Sequence, residues 1–388
     1  MLIKEKNKGK VVKYIMKIGV ITWFTGPNYG TNLQAIALQH YLRKIGFETK
    51  IINYEVSPPN VVKRKKNIFS RIAYQPKKIA IRYAMNKYKD KIIDRNNKLT
   101  TAIMEKCLLT PKIDSVENLI QICNSFDLIL CGSDQIWNPN WYNRFYFADY
   151  DEIHTRRASY AASLGVNAIP SSLVSDIQRG LSKFDYVSVR ESKAADLLEQ
   201  ININRPDVVV DPTLLLSRTE WDELFGKRNE EKERFVLAFF LNDEQAHLKA
   251  TKDFATKNSL KLIIIPYVGM TYLQNADVRA NVGLEDLLDL IRQAEYIITD
   301  SFHITVFSII YHKQFFTFQR FMENEYTSQN IRVINLLKLT NLMDRLIPYR
   351  STNIENHEYI HYGTILSELN SEIEKSKKFL NKVIKKES

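Results

Sequence analysis

Short apolar runs alternate with helix-period segments along most of this chain, and that alternation leaves few folds open. Residues 17–22, 49–54, 127–131, 157–162 and 186–190 have the length and composition of strands. Between the first two, Leu33, Ile36, Ala37 and Tyr41 recur at helical spacing over residues 31–45, and Gly46 stands where a helix would stop. A second alternation follows the charged stretch 226–234. It predicts strands at 235–241, 262–265, 296–299 and 315–318, and helices at 284–294 and 302–312. A long helix over 365–384 closes the chain. Strand–helix alternation implies parallel strands with helices on both faces.

Two such blocks, in a chain of 388 residues, predict an α/β protein of two Rossmann-like doubly wound domains facing a cleft. The expected divisions are a tail at 1–15, a first, acceptor-side domain at 16–190 with a basic helical insertion at 61–98, a second, donor-side domain at 191–350, and a helical tail at 351–388. Ligands in such folds lie beyond the carboxyl ends of strands. That rule points to residues 28–32, residues 132–137, Arg190 and residues 300–303.

Composition excludes several classes. Apolar residues make up 45% and charged residues 26%, the proportions of a soluble globular chain. No apolar run approaches the ~20 residues needed to span a bilayer. Cys107, Cys123 and Cys131 have neither paired spacing nor an even count, which predicts no disulfide framework and a reducing, cytoplasmic setting. The histidines are scattered and no metal or cofactor is expected. Lys and Arg number 55 against 44 Asp and Glu, a net charge of +11. Much of the excess falls in 61–98 and in a closing run of lysines. These runs are either solvated helix faces or surfaces for an anionic membrane or an acidic glycan; nucleic acid is the least favoured partner, since its recognition patterns are missing.

Four segments carry possible chemistry. Residues 26–34 (GPNYGTNLQ) join the first strand to the first helix, with glycines that permit close backbone approach and Asn28, Asn32 and Gln34 as amide donors and acceptors. Neither a dinucleotide fingerprint nor a P-loop is present there. After the apolar run at 127–131, Asp134, Gln135 and Trp137 combine polar groups with an indole. This is the composition of a sugar-binding surface or of a loop anchored by its tryptophan. Arg190 ends a strand and either clamps a carboxylate or phosphate or pairs with a neighbour such as Glu191. In Thr299-Asp300-Ser301-Phe302-His303, Asp300 and Ser301 are candidate helix caps, the helix start favours an anion, and His303 can move a proton beside it.

Taken in order, Asn28-Tyr29-Gly30-Thr31-Asn32-Leu33-Gln34-Ala35, Gly132-Ser133-Asp134-Gln135-Ile136-Trp137-Asn138, Val187-Ser188-Val189-Arg190-Glu191, Asp211-Pro212-Thr213-Leu214-Leu215 and Thr299-Asp300-Ser301-Phe302-His303 resemble the polysaccharide pyruvyl transferase family. The resemblance covers roughly residues 16–346. It implies a fold like that of the two-Rossmann (GT-B) glycosyltransferases. It also implies transfer of a pyruvyl group from phosphoenolpyruvate to two hydroxyls of a glycan or lipid-linked glycan precursor, as a cyclic ketal. By that resemblance Arg190 and His303 contact the donor; the helix start from Ser301 to His303 is expected to receive one of its anionic groups, with Asp300 orienting His303 or capping the helix. Asn28, Asn32, Gln34, Asp134, Gln135 and Trp137 face the acceptor. The expected location is cytoplasmic, with possible contact at the inner face of the membrane. Where the family often has Gly after the histidine, Ile304 stands here; it would narrow the donor pocket or alter helix packing. Two other readings stay open: a GT-B glycosyltransferase using a nucleotide sugar, and a non-catalytic glycan-binding relative.

Overall fold

A computed structural model of the chain describes residues 6–7, 10–11, 15–54, 75–226, 233–322, 329–355 and 358–385. Residues 61–74 of the expected basic insertion, most of the expected tail at 1–15, and 227–232 of the charged stretch lie outside them.

The first half is built on strands β1 (Lys17–Ile21), β2 (Glu48–Ile51), β3 (Leu128–Gly132) and β4 (Arg156–Tyr160), all parallel, in the order β2-β1-β3-β4. Two short strands, β5 (Ser188–Val189) and β6 (Asp207–Val208), continue it through isolated bridges from Ala158 to Tyr186 and from Ala162 to Val189. The expected strand at 186–190 is thus only two residues long. The same pairing carries the first half to Val208, past the expected division at 190. Helices α1 (Tyr29–Lys44), α2 (Gln75–Lys87), α3 (Lys89–Lys106), α4 (Val116–Cys123), α5 (Val174–Leu181) and α6 (Ser192–Gln200) accompany these strands. Helix α1 starts two residues before the expected position because Asn28 accepts from Gly30 N at 3.0 Å and caps it. It is followed by Gly46 at φ 100°, a left-handed position that suits glycine.

In the second half, α7 (Arg218–Phe225) precedes β7 (Phe235–Phe239), α8 (Gln245–Lys257), β8 (Lys261–Ile265), β9 (Asp277–Val278), α9 (Leu284–Gln293), β10 (Tyr296–Thr299), α10 (Phe302–Ile310), β11 (Gln314–Phe318), α11 (Asn330–Leu339) and β12 (Leu346–Ile347). The sheet is all parallel, in the order β9-β8-β7-β10-β11-β12. This is the doubly wound dinucleotide-fold order, whose direction of winding reverses between β7 and β10. In the first sheet the reversal falls between β1 and β3. The crevices that these reversals open lie at the carboxyl ends of the strands. Residues 22–28 and 133–138 follow one pair of strands; 240–242 and 300–303 follow the other. The molecule is α/β with two Rossmann-like sheets, a GT-B-like layout.

Both halves share one buried apolar cluster, which runs from Ile18, Leu33 and Leu130 to Leu237, Phe239 and Phe307. The Tyr29 hydroxyl donates to Val282 O at 2.8 Å, Arg95 to Pro266 O at 2.9 Å and Lys98 to Asn281 O at 2.9 Å. The last helix, α12 (Ser367–Lys385), returns to the first half. Ser376 Oγ accepts from Val210 N at 3.0 Å, Arg156 donates to Val383 O at 3.0 Å, and Leu380 and Val383 are fully buried. The expected helical tail is therefore part of the packed core.

Candidate functional site

At the meeting of the two switch points lies Asp211, fully buried, on the segment that leaves β6. Its Oδ1 accepts from Thr213 N at 3.0 Å and Thr213 Oγ1 at 2.7 Å. Its Oδ2 accepts from Arg190 Nη1 at 2.6 Å and Ser133 Oγ at 3.2 Å, and lies 3.6 Å from His303 Nε2. Arg190, from the end of β5, and His303, from the first turn of α10, thus approach one carboxylate oxygen from opposite halves of the chain. Burial works to raise the Asp211 pKa, but His303 and Arg190 outweigh it and hold the carboxyl well below its usual range.

A second guanidinium, Arg332 on α11, completes the cluster. Arg190 and Arg332 both lie over the Phe302 ring, 4.9 and 5.7 Å from its centroid. Burial, then the like charges of Arg190 and Arg320, push the Arg332 pKa down to about 9. Gln329 Oε1 accepts from Arg332 at 2.6 Å and also from Arg320. With its amide oxygen turned that way, Gln135 of the first half lies 3.2 and 3.1 Å from Arg332 Nη1 and Nη2. Four nitrogens in this cluster, Arg190 Nε and Nη2, Arg332 Nε and His303 Nε2, are buried with no hydrogen-bond partner among the described residues. Arg190, Asp211, Phe302, Arg332, Asn335 and Leu336 are among the residues around a cavity of about 300 Å³. His303 does not line it; it reaches Asp211 from the α1 side.

Several expected site residues do other work. Asp300 neither caps α10 nor touches His303: its carboxylate accepts from Leu241 N at 2.6 Å and Asn242 N at 2.9 Å, tying the ends of β7 and β10 together across the switch point. Ser301 is the N-cap residue of α10 by position but makes no side-chain cap. Trp137 is no exposed sugar platform: its ring stacks on Phe147 at 5.2 Å and its Nε1 donates to Tyr146 O at 2.9 Å inside the core. Gln34, fully buried, donates to Trp23 O at 2.6 Å and to Thr22 Oγ1 at 3.1 Å, which shapes the loop after β1. Asn32 donates to Gly26 O at 3.3 Å, and its unpartnered Oδ1 is on a residue lining a separate cavity of about 140 Å³. Asn28 is spent on its helix cap. Asp134, at φ 63°, accepts from Thr31 Oγ1 at 2.7 Å and Gln135 N at 2.9 Å, and its charge acts on both Arg190 and Arg332.

Ile304 is buried in the shared core and does not line the cavity beside Arg190, so the residue after His303 alters helix packing rather than that pocket. The three cysteines are buried and free, and burial pushes Cys107 and Cys123 up to about 12, which suits packing rather than reactivity. Among the described residues no group of His, Cys, Asp and Glu could hold a metal ion.

Two features escaped the sequence. Arg332 sits in an ordinary amphipathic helix, and only the fold brings it to Arg190. Trp23, directly after β1 and Thr22, meets Trp141 at 5.9 Å and Tyr146 at 6.1 Å, each edge-on and half-buried at the carboxyl edge of the first sheet. Its place at a strand's carboxyl end was the available signal.

The model of the polysaccharide pyruvyl transferase family matches residues 28–320, which spans the segments of this cluster except the stretch from Gln329 to Leu336 that carries Arg332. The chain belongs to the polysaccharide pyruvyl transferase family. No curated protein matches it in sequence. Among solved structures, it is similar to the UDP-GlcNAc 2-epimerase of Neisseria meningitidis bound to UDP-GlcNAc (10% identity, 96% of this chain and 100% of that one, TM-score 0.48). It is also similar to the glycosyltransferase SnogD of Streptomyces nogalater (11%, 95% and 96%, 0.42) and to MurG of Acinetobacter baumannii (11%, 86% and 86%, 0.41). The family is one of transferases in polysaccharide pyruvylation. Among the described residues no helix is long and apolar enough to cross a membrane.

Gly30 is where the imidazole depends on a missing side chain. A Cβ there would lie 2.0 Å from His303 Nδ1. Gly30→Ala should therefore displace the ring even though alanine favours a helix by about 1 kcal/mol. The expected outcome is at least a tenfold loss of turnover with little change in melting temperature; unchanged turnover would show that the ring position is not critical.

Asp300 gives a pH signature. Burial pushes its carboxyl up to about 6 from 3.8, against the opposing effects of Arg320 and the two backbone N–H groups. A carboxyl raised in the native state favours folding while protonated. Its contribution is whole below pH ~4 and is lost as pH rises through ~6, on the order of 3 kcal/mol at about 1.4 kcal/mol per unit. Unfolding of Asp300→Asn followed against pH should lack this decline; an identical slope in both proteins would rule Asp300 out as its source.

Proposed function

We propose that this protein transfers a pyruvyl group from phosphoenolpyruvate to two hydroxyls of one glycan sugar, forming a cyclic ketal. The observation that carries the reading is the placement of Arg190 and Arg332 on one cavity, with His303 behind them on the shared Asp211 and four nitrogens of the cluster lacking hydrogen-bond partners among the described residues. Phosphoenolpyruvate has a carboxylate and a phosphate a few ångströms apart, and two fixed guanidiniums match that charge pattern. Like-charge repulsion at Arg332 is relieved when an anion arrives, so part of the binding free energy is already stored in the site.

The steps balance without any further reactant. A proton adds to the terminal enol carbon, and positive charge develops on the carbon that bears the phosphate. A first sugar hydroxyl attacks that carbon and gives up its proton. The phosphate leaves, and the resulting oxocarbenium ion is captured by a second hydroxyl, whose proton the departing phosphate takes up. His303 is the proton carrier in this scheme, with its Nε2 side turned to Asp211 and its Nδ1 side over Gly30. Arg190 and Arg332 hold the two anionic groups and stabilise the departing phosphate.

The acceptor lies on the first half. In this reading Trp23 and Trp141 form its stacking surface in place of Trp137, and Asp134, whose charge acts on the two arginines, is a polar partner. Aromatic faces suit the apolar face of a pyranose ring.

Phosphoenolpyruvate should raise the melting temperature, and a nucleotide sugar should not, since only a ligand of the native state stabilises it. His303→Ala should lower phosphate release by roughly 10²–10⁴. Arg332→Ala should weaken phosphoenolpyruvate roughly tenfold or more, the scale of a charged hydrogen bond. Stabilisation by the nucleotide sugar alone would favour glycosyl transfer instead.

Trp23→Ala should raise the KM for the glycan several-fold, as expected for ~1 kcal/mol of lost stacking, while leaving the phosphoenolpyruvate shift intact. An unchanged KM would place the acceptor elsewhere.

A further inference from the structure

The hairpin of α2 and α3 has two unlike faces. Its inner face is packed on the second half: Ile81 lies against Gly269, Ala84 and Tyr272 share a small core, and Tyr88 meets Tyr272 at 5.7 Å. On the opposite stripe of α2, Ile79 is 67% and Tyr83 76% exposed, one turn apart, with Arg82 exposed between them. Met85 and Ile93 are also exposed. Lys87, Lys89 and Lys91 stand around Tyr88 at the turn, Lys87 and Lys91 within 6.0 and 5.8 Å of its ring. Over residues 75–106 there are nine Lys and Arg against three Asp and Glu.

From this geometry we infer that the α2–α3 hairpin docks the protein on the surface of a bilayer containing acidic phospholipid. Bare aliphatic and aromatic side chains ringed by cations suit a surface that is anionic outside and apolar just beneath. A polyanion in water satisfies the lysines and leaves Ile79 and Met85 without a role. A second copy of this chain would bring the same positive charge against itself. The hairpin also carries the ties of Arg95 to Pro266 and Lys98 to Asn281, so the docked surface adjoins the junction of the two halves. Docking is independent of which donor the protein uses, and its test needs no turnover.

The test is sedimentation of the full-length protein with vesicles of phosphatidylcholine alone or mixed with phosphatidylglycerol. Binding is expected only to the acidic vesicles and should weaken as salt rises. Ile79→Glu with Tyr83→Glu should cut the bound fraction at fixed lipid at least about fivefold, and Arg82→Glu with Lys87→Glu at least as much. Both pairs are on exposed positions, and an unchanged melting temperature checks their folding. Equal pelleting with neutral and acidic lipid overturns the inference. So does undiminished binding of the Ile79→Glu and Tyr83→Glu protein, or binding to a soluble polyanion without binding to vesicles.

Discussion

One buried carboxylate holds the functional centre together. Asp211 is fully enclosed, yet it satisfies a backbone N–H, two hydroxyls and a guanidinium and comes within reach of an imidazole. Its donors come from β3, β5 and its own turn, and the imidazole from β10's helix. Removing one member of a buried ion pair typically costs about 3–5 kcal/mol, because the other charge is left without compensation. The strand ends of two separate sheets are thus locked in register around a single oxygen atom.

Charge around that oxygen is deliberately uneven. Asp211 answers Arg190, while among the described residues the hydrogen-bond acceptors around Arg332 are amide oxygens, and two other guanidiniums lie near it. A site with its cations fully matched would have nothing to gain from an anionic ligand. Here the surplus is buried, held by Phe302 on one side and Gln329 and Gln135 on the other, so the anionic donor proposed above would meet preoriented hydrogen-bond donors.

Much of the architecture was legible in the sequence. Strand and helix periods differ sharply, and the parallel strands, buried on both faces, have little choice but continuous apolar residues, as in Leu128–Gly132 and Phe235–Phe239. Arg190 and His303 could be singled out because both sit just beyond a strand's carboxyl end. Their shared partner stood in one of the five motifs but without a role, since Asp211 is 92 positions from His303 and only the crossing of the chain unites them. Polar residues in the loop segments misled for a definite reason. A loop that must turn sharply consumes its own amides and carboxylates, as Asn28, Gln34 and Asp300 show, and a tryptophan beside it serves the core. Arg332 carries no local mark at all: its helix pattern is that of any half-buried helix.

The return of the final helix has a mechanical consequence. The chain passes from the first half to the second after Asp211, and comes back after Tyr362, whose hydroxyl is held by Lys313 O at 2.6 Å. Beyond that point α12 is fastened to Val210 and Arg156. Two covalent bridges therefore span the same seam. Relative twisting of the halves is resisted by the pair, so the seam between them is closed by two chain crossings as well as by the shared core.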